Sequence, residues 1–397
     1  MKGAALPVRR QYADLLREKA ASGDWGWLAR RGAQALGLLA GKAINRPLAG
    51  PVLGTLVVTY FCNYRCVFCS LPQRAIRRRA EGEREFDRDA LLGVIRGFAA
   101  AGTAGIGITG GEPFLRPELP DLVREIRARR MVAHVNTNGH FLDDRRVAEV
   151  LDAGPDSINV SIDAADAEVH DRLRGVPGSH RRILEGVGRL LRARGDRRRP
   201  RVAVTAVFHE DNLEGAERLA DLCTELGVDG LGFIPAHVYR EGAPVGSVAP
   251  AREEADRARR AAKGLLRLRE RRPVLENSPA YLSMFGRAFQ GLPNGLRCWA
   301  PWTSLVVDCH GRVFPCVPVS ELDEPVATIR SGDEIPALWR RGLAAARDRY
   351  AGCQACYWNC HTEMNLLLRG PFRAPKKQPA AARSAKAGAE PGGKGGR

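Results

Sequence analysis

The sequence predicts an α/β protein whose main body is a partial (β/α)6 barrel of the TIM type, followed by a small C-terminal α+β unit. Three observations carry that prediction. From Leu53 onward, β-rich runs alternate with helical patterns, the sequence form of a parallel sheet with crossover helices. Six strand-led units are present, too few for a closed eight-stranded barrel, so the sheet is expected to be open on one side. Cysteines then crowd residues 298–360, after the alternation has stopped.

The strands are predicted at 53–60, 104–109, 132–137, 157–162, 201–208 and 230–234. Helical spacing occupies 87–101, 117–130, 143–153, 179–194 and 212–227. Asp87, Asp143, Ser179 and Asn212 stand where a side-chain oxygen can cap a first turn. Ahead of the barrel, Trp27, Leu28, Ala35, Leu36, Leu39 and Ala43 share one face of a helix over 25–44. That face reads either as packing against the barrel or as an interfacial helix in peripheral contact with a membrane. Residues 237–297 hold a Pro/Gly loop (242–250), a charged helix (251–271) and an aromatic-bearing stretch. From Pro371 the composition is that of a disordered tail. The expected organisation is a basic helical extension over 1–52, the barrel over 53–236, a connecting segment over 237–297, a cysteine-bearing unit over 298–365 and a basic tail over 366–397.

Charge sharpens the picture. The chain of 397 residues has 62 Lys plus Arg against 45 Asp plus Glu, a net charge of +17. Residues 1–50 contribute +6 (nine basic, three acidic) and 366–397 contribute +7 (eight basic, one acidic), leaving only +4 on the body. Of the 62 basic residues 54 are Arg, a skew that a GC-rich genome produces unaided. No nucleic-acid partner is therefore expected. The start lacks the apolar core of a secretory signal and no run of 18 apolar residues occurs, so a cytoplasmic location is expected. In that compartment ten cysteines point to metal ligation rather than disulfides.

The sharpest motif is Cys62-x3-Cys66-x2-Cys69, in a loop directly after the first strand. Three thiolates on one loop suit zinc or an iron–sulfur cluster; zinc wants a fourth ligand close by, and none is evident among Asn63, Tyr64, Arg65, Val67 and Phe68. This CNYRCVFC stretch resembles the CxxxCxxC signature of the radical S-adenosylmethionine (SAM) superfamily, Phe68 included. The resemblance continues in register. Gly110-Gly111-Glu112-Pro113 is similar to that superfamily's GGEP motif, the fourth strand ends in Ser161-Ile162-Asp163, and 170–179 is similar to the loop such enzymes carry before their fourth helix. It implies a [4Fe–4S] cluster on Cys62, Cys66 and Cys69 with one iron open to SAM, and SAM contacts from Phe68, Gly110, Gly111, Glu112, Pro113, Asn136, Ser161, Asp163 and Arg174. The glycines are expected to let backbone approach the ligand, Glu112 to accept the SAM ammonium and Arg174 to meet the carboxylate. For Asn138-Gly139 a turn role is equally open.

A second group is Cys298-x12-Gly311-x4-Cys316 with Cys353-x2-Cys356-x3-Cys360. Residues 304–308 and 313–315 read as a hairpin that brings Cys298 and Cys316 together. The group resembles the SPASM and twitch extensions of radical SAM enzymes. Five cysteines fit one auxiliary [4Fe–4S] cluster, a twitch-like arrangement on Cys298, Cys316, Cys353 and Cys356, with Cys360 either substituting or unpaired; a structural zinc site is the alternative. Cys223 reads as a buried helix residue and Cys309 as small packing beside the turn. His361, Glu363, Tyr239 and Trp302 are weaker candidates for the pocket, with core or surface roles as the competing reading. No catalytic acid or base is identified.

The resemblance implies an enzyme that reductively cleaves SAM to a 5′-deoxyadenosyl radical and abstracts hydrogen from a substrate, with a flavodoxin or ferredoxin as electron donor. The expected substrate is a small natural-product intermediate, sugar-like or aminocyclitol-like. A peptide or protein is the second choice and a lipid the third. A non-catalytic iron–sulfur electron-transfer protein is the reading from another class.

Overall fold

The computed structural model describes residues 10–237 and 255–368. The Pro/Gly loop at 242–250, Tyr239 and the basic tail from 369 lie outside the described residues, as do the first four residues of the charged helix. Two helices, α1 (Arg10–Ala21) and α2 (Trp25–Ala43), precede the barrel. The barrel runs β1 (Leu53–Val57), α3 (Leu71–Ala80), α4 (Arg88–Ala100), β2 (Gly105–Thr109), α5 (Leu119–Ala128), β3 (Val132–Thr137), α6 (Asp144–Ala153), β4 (Ser157–Ser161), α7 (Ala167–Arg174), α8 (Ser179–Arg194), β5 (Arg201–Phe208), α9 (Ala216–Leu226) and β6 (Gly230–Pro235). Then come α10 (Ala255–Arg271), α11 (Pro279–Leu282), α12 (Phe285–Ala288), α13 (Ala300–Thr303), the hairpin β7 (Ser304–Val307) and β8 (Arg312–Phe314), α14 (Val317–Glu321), β9 (Ala327–Thr328), α15 (Ile335–Ala337), α16 (Ala344–Tyr350) and α17 (Asn359–Leu367).

All six barrel strands form where the sequence places them, and each pairs in parallel with the next. The sheet does not stop at β1, however. Its order is β6-β5-β4-β3-β2-β1-β7-β8-β9, with β7 parallel to β1 in the register Leu53↔Ser304 to Leu56↔Val307. The hairpin therefore extends the barrel sheet. Side chains alternate as a pleat requires: Leu56, Ile108, Val135, Val160 and Val204 are fully buried among the helices, while Thr55, His134, Asn159 and Thr205 turn to the barrel interior.

Two of the four predicted caps form as expected: Asp87 accepts from Ala90 N at 2.9 Å and Asp143 from Arg146 N at 2.9 Å. The other two need correction. Gly178 is the cap position of α8, and the free amides there are met by the Asp171 carboxylate, which accepts from the Ser179 hydroxyl and His180 N, each at 2.8 Å. Asn212 lies in a short 3-10 turn, and its amide donates to Asp163 O and Val207 O; α9 starts four residues later.

The N-terminal helix forms, but with another face inward. Trp27, Gln34, Leu38 and Gly41 are buried, whereas Leu36 and Leu39 of the predicted face are exposed. The Gln34 amide decides the orientation, since it donates to Gly50 O, Pro51 O and Gly102 O at 2.9, 3.0 and 3.2 Å, carbonyls of the segments that enter β1 and β2. α1 is fixed by Glu18, which accepts from Arg199 at 2.7 and 2.8 Å. The two helices thus cover the N-terminal floor of the barrel.

At the opposite side of α4 the C-terminal region closes on bare backbone. A Cβ on Gly97 would lie 2.0 Å from Gly332 O, and one on Gly332 would lie 1.9 Å from Gly93 O. Gly97→Ala is therefore expected to destabilise the protein by about 1–3 kcal/mol, even though Ala is the better helix former. Gly264→Ala in α10, where a Cβ meets nothing within 4 Å, is expected to stabilise it by about 0.4–1 kcal/mol. Urea unfolding of both variants checks the opposite signs.

Candidate functional site

The loop after β1 carries Cys62, Cys66 and Cys69 at the C-terminal ends of the strands, the end where barrel chemistry collects. Its path is fixed by neighbours on both sides. Arg65 N donates to Arg174 O at 3.2 Å and Val67 N to Leu173 O at 3.0 Å. A Cβ on Gly175, at φ +67°, would lie 2.4 Å from Arg65 O, so backbone meets backbone where the end of α7 reaches this loop. Across the mouth, Asn138 Nδ2 donates to Asn63 Oδ1 at 2.8 Å.

The sulfurs of Cys62 and Cys66 have polar hydrogens aimed at them. Tyr64 N lies 3.4 Å and Asn138 Nδ2 3.7 Å from Cys62 Sγ, and Arg174 Nη1 lies 3.8 Å from Cys66 Sγ. Burial pushes the Cys62 thiol up to about 11 and raises Cys66 and Cys69 as well, so the thiols hold their protons until a cation displaces them. Three soft donors in mutual electrostatic reach, with N–H groups supporting sulfur, fit a cluster ligated by three cysteines.

Close backbone packing requires glycine at 110 and 111. A Cβ would lie 2.3 Å from Thr59 O at Gly110 and 2.0 Å from Phe61 O at Gly111. Gly111 N and Glu112 N donate to those same carbonyls at 2.8 and 2.9 Å. The glycines therefore press the second loop against the backbone that leads into the cysteines. Glu112 is fully buried, and its oxygens accept from Thr137 Oγ1 (2.8 Å), Phe114 N (3.0 Å) and Asn138 N (2.7 Å). It locks the β2 loop to the β3 end, and burial raises its carboxyl to about 7. Pro113 is buried at the start of a 3-10 turn.

Arg174 and Asp163 form a buried pair, Nη2 to Oδ1 at 2.9 Å and Nε to Oδ2 at 2.6 Å, and Asp163 also accepts from Val207 N at 2.8 Å. The expected carboxylate-binding guanidinium is thus held by Asp163, with its plane 5.5 Å from the Phe68 ring centre. Asp163 acts through Arg174 rather than facing the cavity.

That cavity, about 670 Å³, is lined at the mouth by Phe68, Cys69, Gly110, Asn136, Ser161 and Arg174 and reaches through the barrel to α2. A polar ladder unpredicted from sequence crosses its interior. His134 Nδ1 lies 2.6 Å from Ser157 Oγ and Nε2 3.2 Å from Asn136 Oδ1; Asn159 donates to Asn136 Oδ1 at 3.2 Å, and Thr205 to Asn159 Oδ1 at 2.8 Å. Polar residues at alternate positions of otherwise buried strands were the available signal. His237 and Trp358, with ring centres 5.3 Å apart, also line the cavity.

The second cysteine group stands beside the first. Cys298, Cys316, Cys353 and Cys356 lie within electrostatic reach of one another, and burial raises Cys298 to about 11 and Cys316 and Cys356 well above their ordinary value. Ala300 N and Trp358 N approach Cys298 Sγ and Cys356 Sγ at 3.4 and 3.2 Å. Cys360 senses Cys316 and, unlike the other four, lines the cavity. Four clustered thiols fit one metal centre. Cys223 is fully buried in α9, and Cys309 is buried with its thiol 3.4 Å from Glu85 Oε1. His361, Glu363 and Trp302 are all buried; His361 Nε2 accepts from Val317 N at 3.3 Å and Glu363 from Ser278 N at 2.8 Å.

The two groups share one support. Cys69, Cys316 and Cys353 pack on the same apolar cluster, which includes Val57, Tyr60, Leu71 and Val319. Arg74 of α3 donates to Ser320 O and Glu321 O at 2.7 and 2.5 Å, and Tyr60 OH donates to Asp308 Oδ2 at 2.6 Å.

Comparison with known proteins places this geometry. Residues 56–223 match the family model described as the radical SAM superfamily. The fold is similar to SuiB of Streptococcus suis bound to S-adenosylmethionine (14% identity over 80% of this chain and 72% of that one, TM-score 0.58) and to the same protein bound to the precursor peptide SuiA (15%, 80% and 73%, 0.57). It is also similar to anSMEcpe with bound AdoMet and Cp18Cys peptide (14%, 80% and 96%, 0.50).

Glu112 gives a signed pH prediction. Its folded value near 7 stands above the ordinary 4.5, so the folded chain holds this proton more tightly than the unfolded one. Its contribution is fully present below pH 4.5 and is lost as pH rises to about 7, a decline on the order of 3 kcal/mol. Denaturant unfolding across that window is expected to show wild type falling relative to Glu112→Gln; parallel curves would refute it.

Proposed function

Residues 56–223 of this chain are a radical SAM domain, and from that premise we propose that the protein is an oxidoreductase-type radical SAM enzyme with one auxiliary iron–sulfur cluster. Cys62, Cys66 and Cys69 hold the first [4Fe–4S] cluster, and Cys298, Cys316, Cys353 and Cys356 the second. When bound, the first cluster supplies the electron that cleaves SAM toward a 5′-deoxyadenosyl radical, and the second takes up an electron from the substrate or helps hold it.

The chain's own residues supply the rest. Phe68, Gly110, Asn136 and Ser161 line the SAM half of the cavity. Asp163 fixes Arg174 beside Cys66, and Glu112 fixes the glycine loop beneath the cysteines. The single observation that carries the reading is one continuous cavity bounded by Cys69 on one side and Cys360 on the other. Its 670 Å³ is of the size that holds small-molecule ligands, here SAM beside a small molecule or one side chain. The hydroxyl and amide ladder from Ser157 to Thr205 suits a hydroxylated substrate such as a sugar or aminocyclitol. A peptide is the second reading, favoured by the SuiA and Cp18Cys complexes of proteins that share the fold. A cytoplasmic flavodoxin or ferredoxin would deliver the electron.

Anaerobic reconstitution followed by dithionite and SAM tests this. About eight irons per chain are expected in wild type, falling to about four in Cys353→Ala/Cys356→Ala with 5′-deoxyadenosine still formed. Cys66→Ala should abolish 5′-deoxyadenosine. Unchanged iron in the first variant would remove the auxiliary cluster, and intact SAM in wild type would remove the enzyme reading.

A further inference from the structure

The face of α2 turned away from the barrel is unlike the rest of the surface. The helix already has a complete packing face in Trp27, Gln34, Leu38 and Gly41. Opposite it, Trp25, Leu36 and Leu39 are 67, 70 and 46% exposed, and Ile44 and Leu48, in the turn that follows the helix, are 56 and 57% exposed. Six of the twelve large apolar side chains exposed among the described residues fall between Leu16 and Leu48. Isolated surface leucines need no explanation, but a contiguous patch marks an interaction site. At 3.6 residues per turn, Trp25, Ala29, Gly32, Leu36, Leu39 and Ala43 share this face, so the stripe runs about 27 Å without a charge or hydrogen-bonding side chain apart from the Trp25 indole.

The charges around it choose the occupant. From Trp25 to Leu48 there are four basic residues and no acidic one. Lys42 is turned inward, with Nζ on Cys298 O at 2.8 Å and 3.8 Å from the Trp299 ring centre, and Arg31 donates to Gln34. Arg30 and Arg46 remain exposed. Asp24 at the helix N-cap is paired with Lys19 and Asp348 accepts from Asn45 at 2.8 Å, but cations stay in excess over the segment; with the apolar side chains and the exposed indole, that excess complements a bilayer surface bearing anionic headgroups. No helix among the described residues is long and apolar enough to cross a membrane, so the contact is one of lying on it.

We propose that the outward face of α2 docks the protein on an anionic lipid surface, with the floor of the barrel toward the bilayer and the cysteine-lined mouth away from it. Flotation of the full-length protein with phosphatidylcholine vesicles, with and without phosphatidylglycerol, tests this. Wild type is expected to float with the anionic vesicles and to be released by high salt. Leu36→Glu/Leu39→Glu should weaken binding by about tenfold or more, because both exposed leucines would otherwise enter the acyl boundary. Both sites face solvent, so the variant should keep its melting temperature and its 5′-deoxyadenosine formation, which separates this test from that of the catalytic reading. Absence of flotation, equal binding to neutral vesicles, or unaltered binding by the variant would overturn the proposal. So would a wild-type dimer that the double change makes monomeric while neither form floats, since a second copy would then cover the stripe.

Discussion

β1 is hydrogen-bonded along both edges, to β2 in the register Leu53↔Gly105 and to β7 in the register Leu53↔Ser304. That double pairing governs the geometry of the site. The strand ends in the loop of the first three cysteines, while β7 and β8 lie between Cys298 and Cys316. Because hydrogen-bonded parallel strands cannot slide without exchanging faces, the positions of the two cysteine groups are tied to one register. The Tyr60–Asp308 bond and the Arg74 contacts to Ser320 and Glu321 then hold the loops that leave the strand ends.

Around this frame, carboxylates tie loops together. Glu112 joins the β2 loop to β3, Asp163 joins Arg174 to β5, and Asp171 holds the start of α8. Glu112 and Asp163 are expensive to bury and each is met by several donors, which is the condition under which such a group confers a unique geometry. The glycines complete the arrangement by letting backbone meet backbone at Thr59, Phe61 and Arg65. The cysteine loop thus rests on main chain and on locked side chains before any cofactor is considered.

Much of this was legible in the sequence because it is local. Strand alternation, the Asp87 and Asp143 caps and the cysteine spacings depend on residues a few positions apart. What escaped is set by distant partners. Nothing near Ser304 announces that it pairs with Leu53, since a short apolar run fits a sheet edge as well as a separate unit. Nor does the sequence record the Thr137 and Asn138 donors that meet Glu112. On α2 the hydrophobic pattern left packing and interfacial readings open, and the Gln34 amide, which finds three carbonyls at the barrel floor, turns Leu36 and Leu39 outward. The polar barrel interior was missed for a related reason, because His134 and Asn159 gain their meaning from each other's strands.

The pairing of β1 with β7 also has a temporal consequence. During synthesis β2 is available soon after β1, but Ser304 emerges some 250 residues after Leu53. Through most of translation the nascent barrel therefore presents one open edge of its first strand, a template for pairing with other chains. Contacts of such high sequence separation form late and slowly. The shared support of the two cysteine groups is consequently among the last parts of the molecule to be completed.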